Sequence, residues 1–162
     1  MIWSKLRKQL EERICDELKG RVKFISATYR KQHDTPGRVA ILIDNIEVFD
    51  MSTLKWSNKI DELESKKYKE YDKGNKYLST YEESKRELEE IGIVPQWDFY
   101  NRAHEFLNMN IEDAINSNNK IINILAVMDR RVGKRSLQKL KDKFNNDLDI
   151  IVKIIDLRLE NI

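Results

Sequence analysis

The sequence predicts an α+β protein: an N-terminal helix packed on a three-stranded antiparallel meander, followed by a mostly helical C-terminal bundle. Three observations carry this. Apolar residues recur at three- and four-residue intervals from Trp3 to Leu18, and again from about Thr53 onward. Between these stretches, from Val22 to Asp50, alternation replaces the helical period and β-branched and aromatic types are common. Only five Gly and two Pro interrupt 162 residues, as long helices require.

Taken in order, Trp3, Leu6, Leu10, Ile14 and Leu18 share one helical face, and Gly20 is placed to stop that helix. Val22, Phe24, Ser26 and Thr28 then alternate with Lys23, Ile25, Ala27 and Tyr29 as a first strand. His33 to Gly37 forms a turn cluster. Val39, Ile41 and Ile43 mark a second strand, Asp44-Asn45 a tight turn, and Ile46, Val48 and Asp50 one face of a third. Two short connections in succession give a meander, and such a sheet needs a cover, for which the first helix is the natural partner. After Thr53, Trp56, Ile60, Leu63 and Tyr71 share a face that lapses at Lys67, and Gly74-Asn75 marks a break. Tyr77, Leu78, Tyr81, Leu88 and Ile91 continue on another helix, ended by Gly92 with Pro95 beyond it. Trp97, Tyr100, Ala103, His104 and Leu107 define the next, and Asn110 caps a short acidic-headed one. Ser117 is expected to cap the helix of Ile121, Ile124, Leu125 and Met128, which Gly133 interrupts before Leu137, Leu140 and Phe144 resume. Asn145 to Asp147 introduces a last helix running to Ile162, bringing the helices after the sheet to five or six.

Length and composition fit a single domain over 1–162, with a soft internal boundary near 53 dividing an α+β part (1–52) from a helical part (53–162). Apolar residues at 40% and charged residues at 36% describe a folded, helix-rich chain rather than a disordered one. The one cysteine, Cys15, lies in the amphipathic pattern and reads as a buried structural thiol in a reducing compartment. The first eight residues contain no apolar stretch of signal-peptide type, and no apolar run approaches a membrane span, so a cytoplasmic location is expected.

Catalytic constellations are not apparent. His33, His104 and Cys15 are far apart and lack metal-ligand spacing, and the chain has neither a glycine-rich phosphate loop nor a nucleophile elbow. No catalytic residue, metal or cofactor is therefore expected. The acidic clusters around Glu82-Glu83 and Glu87 to Glu90 interleave with Lys85 and Arg86 as a solvated, ion-paired helix surface. The three Trp sit at core spacing and read as packing anchors.

Charge balance fails in one place. The whole chain carries a net charge of +2, yet Arg130 to Lys143 holds seven cationic side chains against the single acid Asp142. Arg130, Arg131, Lys134, Arg135 and Lys139 are candidate contacts for a polyanion or an acidic partner. Against this, cations near a helix C-terminus also complement its dipole, and Asp129 can neutralise a neighbour. Tyr29, Arg30, Lys31, His33 and Arg38 form a second basic patch around the first hairpin loop. There Arg and Lys suit phosphate, Tyr29 suits stacking, and His33 with Asp34 suits proton transfer; the plainer alternative is a solvated loop that keeps a sheet edge soluble.

The stretches Trp3 to Leu6, Leu18 to Val22, Tyr29 to Asp34, Thr53 to Trp56 and Asp129 to Arg135 resemble the signatures of an uncharacterised bacterial conserved-hypothetical family. That family was first catalogued from a Shigella genome and also occurs in Gram-positive bacteria. The similarity runs from Met1 to about Leu137, leaving the tail from Gln138 outside it. Its members often carry Gly where this chain has Asn45, and Asn tolerates the same left-handed turn. The resemblance implies a bacterial cytoplasmic protein and assigns no activity, cofactor or site residue. The functional expectation is thus a non-catalytic interaction module. The alternative is a nucleic-acid-binding protein using the two basic patches, with a small enzyme built on Arg30, His33 and Asp34 a more distant third. The broad apolar face of the last helix (Leu148, Ile150, Ile151, Ile154, Ile155, Leu159) must be sandwiched within the chain or pair with a second copy as a homodimer.

Overall fold

The computed structural model describes residues 2–29, 36–70, 77–144 and 150–160. The expected break at Gly74-Asn75, Tyr71, and the Asn145 to Leu148 approach to the last helix lie outside them.

The element order is helix, three-stranded meander, then helices, as the α+β reading requires. Helix α1 (Trp3–Glu11) buries Leu6 and Leu10. It ends earlier than the periodicity implies, because the chain beyond it pairs with a distant segment. Ile14 forms an antiparallel bridge with Asp129, the Cys15 N–H donates to the Met128 carbonyl at 2.9 Å, and the Arg130 N–H donates to the Arg13 carbonyl at 2.8 Å. A 3-10 turn over Asp16–Leu18 and Gly20 at φ +79° complete the reversal.

Strands β1 (Val22–Thr28), β2 (Gly37–Ile43) and β3 (Ile46–Ser52) lie in the order β1-β2-β3. The β2–β3 turn places Asp44 and Asn45 at φ 53° and 66°, the paired left-handed geometry that a two-residue hairpin needs. Arg21 grips Asp44 through two hydrogen bonds of 2.9 and 2.7 Å, and Lys23 reaches Asn45 at 2.7 Å. The register of β3 differs from expectation. Phe49 and Met51 are its buried residues, while Ile46 is 69% exposed, so the inward parity is odd-numbered.

After the sheet come α2 (Thr53–Glu70), α3 (Tyr77–Glu90), α4 (Gln96–Asn108), α5 (Ile111–Asn116), α6 (Lys120–Met128), α7 (Lys134–Phe144) and α8 (Ile150–Leu159). These are seven helices among the described residues, against five or six expected, because α6 and α7 are separate helices and not one helix interrupted at Gly133; the short α5 is capped by Asn110 as expected, its side chain accepting from the Asp113 N–H. Asn119, not Ser117, caps α6, accepting from the N–H groups of Ile121 and Ile122. Ser117 instead ends α5, and its hydroxyl accepts from the Asn119 N–H at 3.1 Å. Every α6 residue from Ile121 to Met128 is buried, which makes it a central helix rather than an amphipathic one.

Contacts divide the chain into two compact units. In the unit of Met1–Ile25, Ala40–Phe49 and Tyr100–Ile162, α8 packs on α6, α7 and the 3-10 turn. Ile151, Val152, Ile154 and Ile155 are thereby buried within the chain, the sandwiched arrangement rather than an open face. In the unit of Ser26–Val39 and Asp50–Phe99, α2 packs on α3 around Trp56, Ile60 and Leu88. Lys67, the lapse in the α2 stripe, pairs with Glu87 at 2.6 Å and Glu83 at 3.8 Å of α3. Ile91 is 69% exposed, and Ile93 takes the place in this core that the periodicity gives it. Gln96 donates to Ser26 Oγ (3.3 Å) and to the Arg38 carbonyl (3.3 Å) beside Gly37. No described helix is long and apolar enough to cross a membrane.

Candidate functional site

The basic run after α6 is built around a buried acid. Asp129 is 1% exposed at the C-terminal end of α6, where the helix dipole disfavours a carboxylate. Cations offset this. Arg131 donates Nε at 3.0 Å and Nη2 at 2.8 Å to the two carboxylate oxygens, its own N–H donates to Oδ1 at 2.8 Å, and its guanidinium lies 5.9 Å over the Phe106 ring. Arg13 approaches the same carboxylate at 3.8 Å and donates to the Leu107 carbonyl at 3.1 Å. Beneath them Arg158, 3% exposed, donates to the carbonyls of Val127 (2.8 Å), Asp129 (3.2 Å) and Val132 (2.8 Å). It caps the Val127 carbonyl in the last turn of α6 and ties that turn to the loop that follows. Glu17, 3.8 Å from Arg158, accepts from the Cys15 thiol and has its carboxyl held low chiefly by that bond.

Arg131 is therefore a structural cation. Lys141 pairs with Asp156 of α8 at 2.6 Å, and Lys143 lies 5.4 Å over the Phe144 ring. Arg130, Lys134, Arg135 and Lys139 differ: all are exposed, and their side chains make no hydrogen bond or ion pair among the described residues. Lys134 and Arg135 stand in the first turn of α7, where the dipole opposes positive charge. The dipole accounts only for Lys141 and Lys143, in the last turn.

The second basic patch is placed only in part. Arg30, Lys31, His33 and Asp34 lie outside the described residues. Tyr29 is half-buried and closes the hairpin, its N–H donating to the Pro36 carbonyl at 2.8 Å, and Arg38 pairs with Asp50 at 3.2 Å.

The structure also forms a site that periodicity does not reveal. In the first unit, a groove of about 620 Å³ runs between α1 and α4. Helix α1 supplies Lys5, Gln9 and Glu12, with Arg13 just past its end; α4 supplies His104, Leu107 and Asn108; and Arg130 reaches in from the loop after α6. Three cations and a histidine thus face one carboxylate, Glu12, which lies 4.0 Å from Lys8. An adjoining cavity of about 590 Å³, sharing His104, is walled by Trp3 and Tyr100, whose rings meet edge-to-face at 5.8 Å. Of the residues that line it, the periodicity places Trp3, Tyr100 and His104 on core-facing stripes. The buried stripe of α4 is Phe99, Ala103 and Phe106, and Tyr100, His104 and Leu107 belong to the neighbouring stripe. Of the expected site residues that are described, only Arg130 lines this groove.

Parts of the signature stretches now have places: Trp3 and Lys5 line the two cavities, Trp56 sits in the core of the second unit, and Asp129 to Arg131 surround the buried acid, while Arg30 to Asp34 lie outside the described residues. A family model matches residues 2–159. The chain belongs to the SF0329 protein family. The family match extends through α7 and α8, so the tail from Gln138 belongs to it as much as the meander does. No curated protein and no solved structure matches the chain. Among the described residues no group of His, Cys, Asp and Glu is arranged to hold a metal ion.

Proposed function

We propose that this SF0329 chain is a non-catalytic interaction module that takes an acidic protein surface on Arg130, Lys134, Arg135 and Lys139, in a bacterial cytoplasmic setting. The observation that supports this is selective pairing: Arg131 and Lys141 are consumed by Asp129 and Asp156, while those four cations stay exposed without an acid partner among the described residues. Charges left unpaired on a surface steer an oppositely charged partner and set association rate and specificity. No aromatic side chain interleaves the four, which weighs against stacking on single strands. The lone buried thiol suits a reducing compartment.

Fluorescence anisotropy at low salt tests this with a labelled polyglutamate peptide and a labelled DNA duplex. The peptide should bind and be released by added salt, and replacing all four cations with Ala should abolish binding while leaving the fold intact. Duplex binding with a steep salt dependence, in place of peptide binding, would transfer the surface to nucleic acid. Absence of both at ~100 µM refutes the reading.

A further inference from the structure

The groove between α1 and α4 lies wholly within the first unit, and its lining is short of negative charge. Lys5, Arg13 and Arg130 line it, against the single carboxylate of Glu12. Each acid near them has a cation of its own. Glu12 lies 4.0 Å from Lys8, and the buried Asp129, 3.8 Å from Arg13, is held by Arg131 through Nε at 3.0 Å and Nη2 at 2.8 Å. The cations of the groove are thus left in excess. We infer that this groove binds a small phosphate monoester, its phosphoryl oxygens on Arg13 and Arg130 and its hydroxyls on Gln9, His104 and Asn108.

The backbone brings the two arginines together, since the Arg130 N–H donates to the Arg13 carbonyl at 2.8 Å. Arg13 spends one donor on the Leu107 carbonyl and keeps 29% of its side chain exposed, so its guanidinium is held in place with donors to spare. Arg130 is exposed, and its side chain makes no hydrogen bond or ion pair among the described residues. Two guanidinium forks at one place suit a compact anion with several oxygens, and a phosphate monoester carries a charge of about −1.5 to −2 at neutral pH. Gln9 stands one helical turn before Arg13, roughly 6 Å along the axis, and Lys5 one turn before that, where its charge adds to the field. On the α4 side, Asn108 is fixed by its hydrogen bond to the His104 carbonyl at 2.7 Å. The Gln9 amide and the His104 ring make no hydrogen bond among the described residues, so both can meet hydroxyl groups beside the phosphate. Only Ile2 and Leu107 in the lining are apolar, which weighs against a hydrophobic ligand, and about 620 Å³ is the size of a small-molecule site. Glu12 in the lining opposes a continuous polyanion. The site shares only Arg130 with the acidic-partner surface on α7 and does not rest on that reading.

Amide chemical-shift titrations of the isotope-labelled full chain, at constant pH and ionic strength, test this with inorganic phosphate, glycerol 3-phosphate and succinate. Both phosphates should saturate with a Kd below about 5 mM, moving the amides of α1, of His104 to Asn108 and of Arg130. Glycerol 3-phosphate should bind at least ~3-fold more tightly than inorganic phosphate, and also than succinate, a dianion whose charges sit at opposite ends. Arg130→Ala, an exposed position, should weaken both phosphates ~10-fold or more, and Gln9→Ala should weaken only the ester. The triple change Lys134→Ala, Arg135→Ala and Lys139→Ala should leave both unchanged, and the same spectra show whether each variant is folded. The inference is overturned if neither phosphate saturates, if succinate binds as tightly as glycerol 3-phosphate, or if Arg130→Ala binds like the parent. An ester no tighter than inorganic phosphate, or one whose advantage survives Gln9→Ala, also overturns it and leaves an adventitious anion site. Shifts that centre on α7 and vanish in the triple variant overturn it by placing the anion there. None of these outcomes depends on whether polyglutamate binds.

Discussion

Replacing Arg158 with Met removes a buried guanidinium while keeping most of its apolar stem in place. The head donates to three carbonyls, those of Val127, Asp129 and Val132, at 2.8, 3.2 and 2.8 Å. Its Nε lies 3.8 Å from Glu17, too far for a hydrogen bond, so that ion pair adds attraction only. Methionine would remove this donor from the Val127 carbonyl of α6 and the Val132 carbonyl of the following loop, in a region where Arg158 itself is 3% exposed and water has little access. Hydrogen bonds from a charged donor contribute about 1.5–3 kcal/mol each, but removing one partner of a buried charged network costs about 3–5 kcal/mol in total. That is about a fifth or more of the ~5–15 kcal/mol that typically holds a domain, and corresponds to a fall in Tm of roughly 10 °C. Urea unfolding with an unchanged m-value should report it. Arg158→Lys should recover little, since one ammonium cannot fork across three carbonyls. Arg7→Ala serves as the contrast: its pair with Glu11 is 3.5 Å long and about half exposed, and its loss should cost under ~0.5 kcal/mol. A loss below ~1 kcal/mol for Arg158→Met would falsify the assignment of Arg158 as the cap of α6.

Gly37→Ala should destabilise the second unit by about 1–3 kcal/mol, because a Cβ there would collide with the Gln96 side chain and lie 2.6 Å from the Ala27 carbonyl oxygen. Adding Gln96→Ala should restore only part of the loss, as the backbone clash persists; full restoration in chemical denaturation would contradict this. For Cys15, burial first and the bond to Glu17 second push the thiol from its ordinary 9.0 up to about 11, with Arg158 pulling the other way. The folded state thus favours the neutral thiol, so its contribution is complete below pH 9 and is lost as the pH rises toward 11. Stability measured across that window should fall less steeply in Cys15→Ala, and identical slopes would show that the thiol does not titrate differently on unfolding.

The meander was legible because turn-forming residue types separate alternating stretches in the sequence, and Asp44-Asn45 adopts the left-handed pair that those residue types permit. The inward parity of β3 was not. Ile46-Glu47-Val48-Phe49-Asp50-Met51 carries apolar residues on both parities, and only the core it meets decides that Phe49 and Met51 go inside. Helix α4 repeats the ambiguity at the helical period. Trp97, Tyr100 and Leu107 make as good a stripe as Phe99, Ala103 and Phe106, and the choice of stripe determines whether His104 reads as core or as groove. Ile14 and Leu18 kept the helical spacing although the helix stops at Glu11, because the pairing of residues 13–15 with 128–130 is a tertiary event with no local signal.

The stretch from Asp129 to Lys143 shows why a charge count is a poor guide to a binding surface. Its net excess of cations is real, but the acid that matters most, Asp129, precedes the run and is buried, so it draws Arg131 inward and Arg13 toward it. Arg130, between those two residues, has its N–H held by the Arg13 carbonyl, and its side chain is exposed and lines the groove. Adjacent arginines therefore serve opposite ends: Arg131 holds the buried acid and Arg130 faces solvent and the groove. An alanine scan that treats the seven cations as equivalent would mix loss of fold with loss of binding. Arg131→Ala would weaken any ligand simply by loosening the loop that carries Arg130, whereas Arg130, Lys134, Arg135 and Lys139 can be removed without breaking a bond that the fold uses among the described residues.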